Sequence, residues 1–142
     1  MKKVRDILDV KGRDVWCIGP EASVFEALKL MAEKEVGALV VLDGGNLAGI
    51  ISERDYARKI VLLGRASPTT QVKEIMTTDV VCVDPEQSVD ECMALVTEKR
   101  TRHLPALKDG KLVGLISIGD LVKSIITEQQ FIIEQLERYI KG

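Results

Sequence analysis

Sliding the 142-residue chain along itself by 65 positions aligns residues 14–60 with residues 79–125 without a gap. Twenty of those forty-seven positions are identical: Asp14, Val15, Cys17, Pro20, Glu21, Ser23, Val24, Glu26, Leu30, Glu33, Lys34, Leu39, Leu42, Gly45, Leu47, Gly49, Ile51, Ser52, Asp55 and Ile60, each with its counterpart 65 residues on. Average composition would give roughly three. The chain is therefore an internal duplication, and whatever one copy folds into, the other must fold into as well. Upstream, "VRDIL" (4–8) matches "VKEIM" (72–76) at a shift of 68, so the first copy carries three extra residues near "VKG", which marks a loop.

Each copy predicts the same order of elements. "DVWCI" and "DVVCV" read as short strands closed by Pro20 and Pro85, since proline cannot donate to a ladder. Helices follow, with Ser23 and Ser88 as N-caps and Glu26 and Glu91 three residues later as capping-box partners. Val24, Ala27, Leu28 and Met31, mirrored by Val89, Cys92, Met93 and Val96, recur at helical spacing and give each helix one buried face. Next come two hairpins, "ALVVL" and "LAGIIS" across Gly44-Gly45, then "HLPAL" and "LVGLIS" across Asp109-Gly110. "ERDYARKIVLLG" and "IGDLVKSII" then read as helices. The expected class is α/β (α+β), strand-helix-strand-strand-helix twice over. Residues 1–66 form the first repeat, 67–127 the second, and 128–142 a C-terminal amphipathic helix.

Composition narrows the function. Twenty basic against twenty-two acidic residues give a net charge of -2, without the basic footprint that binding to a phosphate backbone requires, so nucleic acid is not an expected partner. Asp6 and Asp9 interrupt the start of the chain where a secretory signal would be apolar, and no apolar run approaches membrane-spanning length. A cytoplasmic protein without a membrane partner is expected. Cys17, Cys82 and Cys92 are odd in number, lie in apolar patterns and lack metal-site spacing, so they read as small core residues.

The most pointed repetition is Gly-apolar-x-Ser-x-x-Asp, "GIISERD" at 49–55 and "GLISIGD" at 114–120. Gly49 and Gly114 fall late in a strand, where a missing side chain lets another backbone or a ligand come close. Ser52 and Ser117 stand at the strand-to-helix corner, with Asp55 and Asp120 at the third helical position. A plain capping box accounts for the pair. The same groups also suit a nucleotide, because helix N–H groups and a hydroxyl can hold phosphate and one carboxylate can accept from two ribose hydroxyls. The two readings are compatible.

Two copies of a roughly sixty-residue strand-helix-strand-strand-helix unit, each ending in this motif, together with "RHLPAL" before "GLISIGDL", resemble a tandem pair of cystathionine-β-synthase (CBS) domains. The resemblance covers nearly the whole chain. It implies two repeats packed about a pseudo-twofold axis, with clefts that bind adenosine-containing ligands such as AMP, ATP or NAD(H), none of them a catalytic cofactor. By the family pattern Asp55 and Asp120 would hold ribose hydroxyls, and Ser52 and Ser117 would face phosphate. Val15, Trp16, Cys17 and Ile18, with Val80, Val81, Cys82 and Val83, would help wall adenine, together with the strands beginning at Gly37-Ala38 and at Arg102. Arg102 and His103 fall where the family often places basic groups near phosphate. The first copy has Gly37 and Ala38 there, which carry no charge, but Arg54 where the second has Gly119, so the two sites are chemically unequal.

Several of these residues also have ordinary readings. His103, the single histidine, contacts phosphate or solvent, or occupies a satisfied core position. Trp16 stacks on a base or packs in a core or interface, and Arg54 touches a ligand or lies on a solvated helix face. The tail "TEQQFIIEQLERYIKG" carries a stripe of Phe131, Ile132, Leu136, Tyr139 and Ile140, which either packs on its own domain or meets a partner. Family members commonly pair into dimers, so the resemblance implies a homodimer. Enzyme motifs are absent: there is no Gly-x-Gly-x-x-Gly, no Walker-type loop, no His-Glu-x-x-His and no nucleophile-histidine arrangement. No catalytic residue and no metal site are expected. The sequence points to a regulatory module that senses adenine nucleotides and signals to a regulated protein partner, with a dimerisation or interaction module whose sites stay weak or empty as the alternative.

Overall fold

The computed structural model describes residues 2–141. They form two compact units, each built on one copy of the repeat. One runs without interruption from Asp14 to Val80; the other combines the described residues up to Arg13 with those from Val81 onward.

In the contiguous unit, β1 (Cys17–Ile18), α2 (Val24–Lys34), β2 (Ala38–Asp43) and β3 (Asn46–Ser52) follow one another. β1 lies parallel to β2, and β2 pairs antiparallel with β3, Ala38 opposite Ser52. Gly44 and Gly45 turn the hairpin at φ 57° and 86°, the left-handed pair that a two-residue turn of this hand demands. Behind the sheet, Val24, Ala27 and Met31 of α2 bury against Leu39, Val41 and Ile51. The chain then makes α3 (Glu53–Tyr56), five π-helical residues (Ala57–Val61) and, further on, α4 (Val72–Ile75).

The other unit repeats the plan with α5 (Val89–Lys99), β4 (His103–Lys108), β5 (Lys111–Ser117) and α6 (Ile118–Lys141). Asp109 and Gly110 turn its hairpin at φ 51° and 77°. Both hairpins carry a bulge at the same place in the repeat, Val41/Leu42 and Ala106/Leu107. α2 and α5 each end in a left-handed residue that is not glycine, Glu35 and Arg100.

Three expectations need correction. "DVVCV" does not become a strand; its pairing shrinks to the single bridge Val83↔Ala106. In the first copy Val40 N–H donates to Trp16 O at 3.1 Å, but the residue equivalent to Val40 is Pro105, which has no N–H to give Val81. "ERDYARKIVLLG" is α-helical for only four residues before it widens. Finally, the last helix of the second repeat and the C-terminal tail are one 24-residue helix, because nothing between Ile118 and Lys141 apart from Gly119 in the first turn breaks it. The expected N-caps form at Ser23 and Ser88, and at Ser88 both arms of the box close.

The short leading helix of each repeat does not stay with its own copy. α1 (Val4–Lys11) packs on β5 and α6, with Val4, Ile7 and Leu8 in the core of the second repeat. Its counterpart α4 buries Val72 and Ile75 in the core of the first. The anchoring bonds match one for one: Val4 N–H to Gln87 O and Arg5 N–H to Pro85 O, against Val72 N–H to Ala22 O and Lys73 N–H to Pro20 O, all at 2.8–2.9 Å. The helices are exchanged reciprocally.

Candidate functional site

The motif glycines show why the exchange is possible. A Cβ on Gly49 would lie 2.6 Å from Thr77 O and 3.0 Å from Met76 Sδ; one on Gly114 would lie 2.5 Å from Leu8 Cδ2. Met76 and Leu8 are equivalent residues of the two exchanged segments. What comes close to the glycines is thus the incoming helix and the chain just after it, with Ile50 and Thr77 bonded both ways through their backbones (3.0 and 2.8 Å).

Three residues further on, both Ser-Asp pairs close as capping boxes. Ser52 N–H donates to Asp55 Oδ2 at 3.0 Å and Asp55 N–H to Ser52 Oγ at 3.2 Å; the second copy gives 2.8 Å and 3.2 Å for Ser117 and Asp120. The first helical N–H is taken by the residue just before the strand opposite, Glu53 N–H by Gly37 O (3.0 Å) and Ile118 N–H by Arg102 O (2.9 Å). Each corner therefore brings together, within its own unit, a few of the residues that the sequence assigned to it. Gly37 and Ala38 stand beside Ser52, and Arg102 and His103 beside Ser117, His103 pairing directly with it across the hairpin.

Exchange also supplies partners that the sequence reading missed. Lys11, the last residue of α1, donates to Asp120 Oδ2 and to Leu115 O (2.8 Å). In the first copy Thr77, just after α4, donates to Asp55 Oδ1 at 3.3 Å, and Lys59, four residues along the same copy, ion-pairs with it at 3.5 Å. Burial by itself would raise the Asp120 pKa, but donation from Lys11 and from the Ser117 backbone outweighs it and holds the carboxyl below the ordinary aspartate range.

The two corners are unequal in a way that composition alone did not show. Ser52 donates its hydroxyl to Asp55 Oδ2 (3.1 Å), so that proton is spent inside the cap, whereas among the described residues Ser117 uses its hydroxyl only as an acceptor. Asp55 opens onto a four-residue helix and Asp120 onto a 24-residue one, whose aligned peptide dipoles place about half a positive charge at its start. Arg102 and Arg54 are both exposed.

The remaining candidates lie nearby or apart. Val15 to Ile18 run beside β2, with Cys17 opposite Val40 and Ile18 opposite Val41. Trp16 is 38% exposed, and Lys34 Nζ sits 4.4 Å above its ring, so one face already holds a cation. Val80 closes the first unit, while Val81 and Cys82 open the second. Burial raises the thiol pKa of Cys17 and Cys82 and pushes that of Cys92 up to about 11, aided by neighbouring Glu91. Such thiols stay protonated and inert.

A duplicated α/β unit whose strand-to-helix corner carries Gly-apolar-x-Ser-x-x-Asp defines a class of small regulatory repeats, and the CBS domain model matches residues 4–62 and 72–127. The chain belongs to the CBS-domain family, as a pair of repeats. It is 40% identical, over 98% of its length and 72% of the relative's, to the mitochondrial CBS domain-containing protein CBSX3 of Arabidopsis thaliana. Among solved structures it is similar to a Burkholderia ambifaria MC40-6 protein described provisionally as a signal-transduction protein with CBS domains, at 57% identity, TM-score 0.87, and coverage of 90% of this chain and 96% of that one. It is also similar to a hexameric CBS-CP12 protein from bloom-forming cyanobacteria, at 30% identity, TM-score 0.77, and coverage of 86% and 70%. Among the described residues no helix is long and apolar enough to cross a membrane.

Proposed function

We propose that the protein is a non-enzymatic sensor that binds adenosine-containing nucleotides, AMP, ATP or NAD(H), at the two motif corners and passes their occupancy to a regulated protein partner, working as a homodimer. The observation that carries this reading is the Asp120 corner. There a carboxylate held ionised lies beside a serine whose hydroxyl, among the described residues, only accepts, at the start of a long helix. Arg102 and His103 flank it, and Lys11 touches it. A carboxylate in such a place can accept from the two hydroxyls of a ribose, and the cations suit the phosphate that follows. Asp55, with both oxygens already engaged, makes the weaker of the two sites. Within their own units, Val15, Trp16, Cys17, Ile18 and Val80 on the one hand and Val81 and Cys82 on the other supply apolar surface for a base.

The other reading is an interaction module in which Ser52, Asp55, Ser117 and Asp120 only cap, and both closed boxes favour it. Calorimetric titration of AMP, ATP and NAD into wild type, Asp55→Ala and Asp120→Ala separates the two. A charge-assisted hydrogen bond contributes roughly 1.5–3 kcal/mol, so Asp120→Ala should weaken nucleotide binding about ten- to a hundredfold, and Asp55→Ala should touch only the weaker phase. Affinities unchanged in both variants would leave the capping reading standing alone.

A further inference from the structure

From residue 131 onward every described residue of α6 is exposed, so the last three turns of the helix cover nothing in their own chain. A helix end this long and this exposed is marginal without a tertiary partner. Its apolar residues are nevertheless ordered. They fall in three columns that repeat every seven residues: Val122, Gln129 and Leu136; Ile125, Ile132 and Tyr139; Ile126, Ile133 and Ile140. On a helix these columns adjoin and make one stripe, and a sustained period of seven is the spacing that keeps a stripe facing another helix. Phe131 lies on the opposite side.

The stripe holds no charge; its one polar member, Gln129, is in the middle of the central column. Val122, Ile126, Ile132, Ile133, Leu136, Tyr139 and Ile140 are 41–85% exposed. Together with Ile118 they offer on the order of 700–900 Å² of accessible surface, taking roughly 150–200 Å² for each fully exposed large side chain. That is close to the ≈ 800 Å² per partner of a stable interface.

We infer that this stripe packs against the same stripe of a second copy of the chain. A second copy fits because the face is self-complementary. It carries no charge that would need an opposite number, and Gln129, which would be costly to bury alone, is an amide with both donor and acceptor and can be satisfied by its own counterpart. Related copies meeting face to face through one shared patch form a closed, isologous assembly, and a single polar residue in such a seam fixes its register. The inference rests on the homodimer proposed above and names its surface.

Sedimentation velocity on the full chain tests it. Wild type should associate in the micromolar range or tighter, and Ile133→Asp or Leu136→Asp should weaken association at least a hundredfold while leaving the circular-dichroism signature of the folded units, because neither residue packs in its own chain. Phe131→Asp, across the helix, should change association less than threefold. A wild-type chain that stays monomeric at several hundred micromolar overturns both the pairing and the face. A dimer that tolerates both stripe substitutions, or one that Phe131→Asp disrupts as badly, overturns the face alone.

Discussion

Cutting the chain between residues 66 and 67 separates the two sequence repeats but tears both compact units, because each fragment keeps the leading helix that belongs in the other's core. Residues 1–66 lose α4, whose Val72 and Ile75 are 0% and 1% exposed. At roughly 1.5–3 kcal/mol for each fully buried aliphatic side chain, that removes about 3–6 kcal/mol. Residues 67–142 lose α1 with Val4, Ile7 and Leu8, about 5–9 kcal/mol on the same scale. Whole domains have only about 5–15 kcal/mol of net stability, so neither fragment should fold alone. The assay is heteronuclear NMR with thermal melts on each fragment, on their equimolar mixture and on residues 14–80. The fragments should give collapsed spectra separately and a dispersed one together. Residues 14–80, one residue longer than 1–66 but carrying α4 in place of α1, should be the more ordered of the two. A monomeric 1–66 with a cooperative melt, or a 14–80 no better ordered than 1–66, would refute the reasoning.

Two further outcomes follow from the corners. Gly114→Ala drives a methyl into Leu8, which is 1% exposed, and Gly49→Ala drives one into the Thr77 carbonyl; overpacking of this kind costs about 1–3 kcal/mol. Chemical denaturation should show Gly49→Ala as the worse, since backbone yields less than a leucine side chain, and a neutral Gly49→Ala would contradict the close approach. The folded state holds Asp120 below its unfolded pKa, so its ionised form contributes stability above the unfolded value near 4, and that contribution fades as the pH falls through the folded value. Wild type should therefore outlast Asp120→Asn in melts at pH 7 by a margin that narrows below about pH 4. Lys11→Met should narrow it at neutral pH too, and a margin constant from pH 7 to pH 3 would exclude the Lys11 and Ser117 bonds as its source.

The parts legible in the sequence were those with a local physical signal. Ser-x-x-Asp closed into boxes because both partners lie within one helical turn, and Gly44-Gly45 and Asp109-Gly110 turned their hairpins because few other pairs tolerate positive φ twice in succession. The parts that were not legible depend on partners far along the chain. Lys11 meets Asp120 and Leu8 meets Gly114 across more than a hundred residues, and nothing near Lys11 announces it. Pro105 was readable within "HLPAL" but its effect is not local: its cost falls on Val81, the neighbour it cannot bond, not on its own strand. The join of tail to last helix could have been read from the lack of any glycine or proline between Gly119 and Gly142.

The exchanged helices also set a timetable for a chain made from its N-terminus. Residues 14–80 contain all that their unit needs and can close as soon as Val80 has emerged. α1, made before either hairpin, must wait for Gly114 and Leu121, about a hundred residues later. At roughly 5–20 residues per second the wait is on the order of 5–20 s, with Val4, Ile7 and Leu8 exposed to water and to anything that binds short apolar helices. Of the two units, the one that carries the Asp120 corner is thus the later to close, and it closes on a helix synthesised before the other unit began.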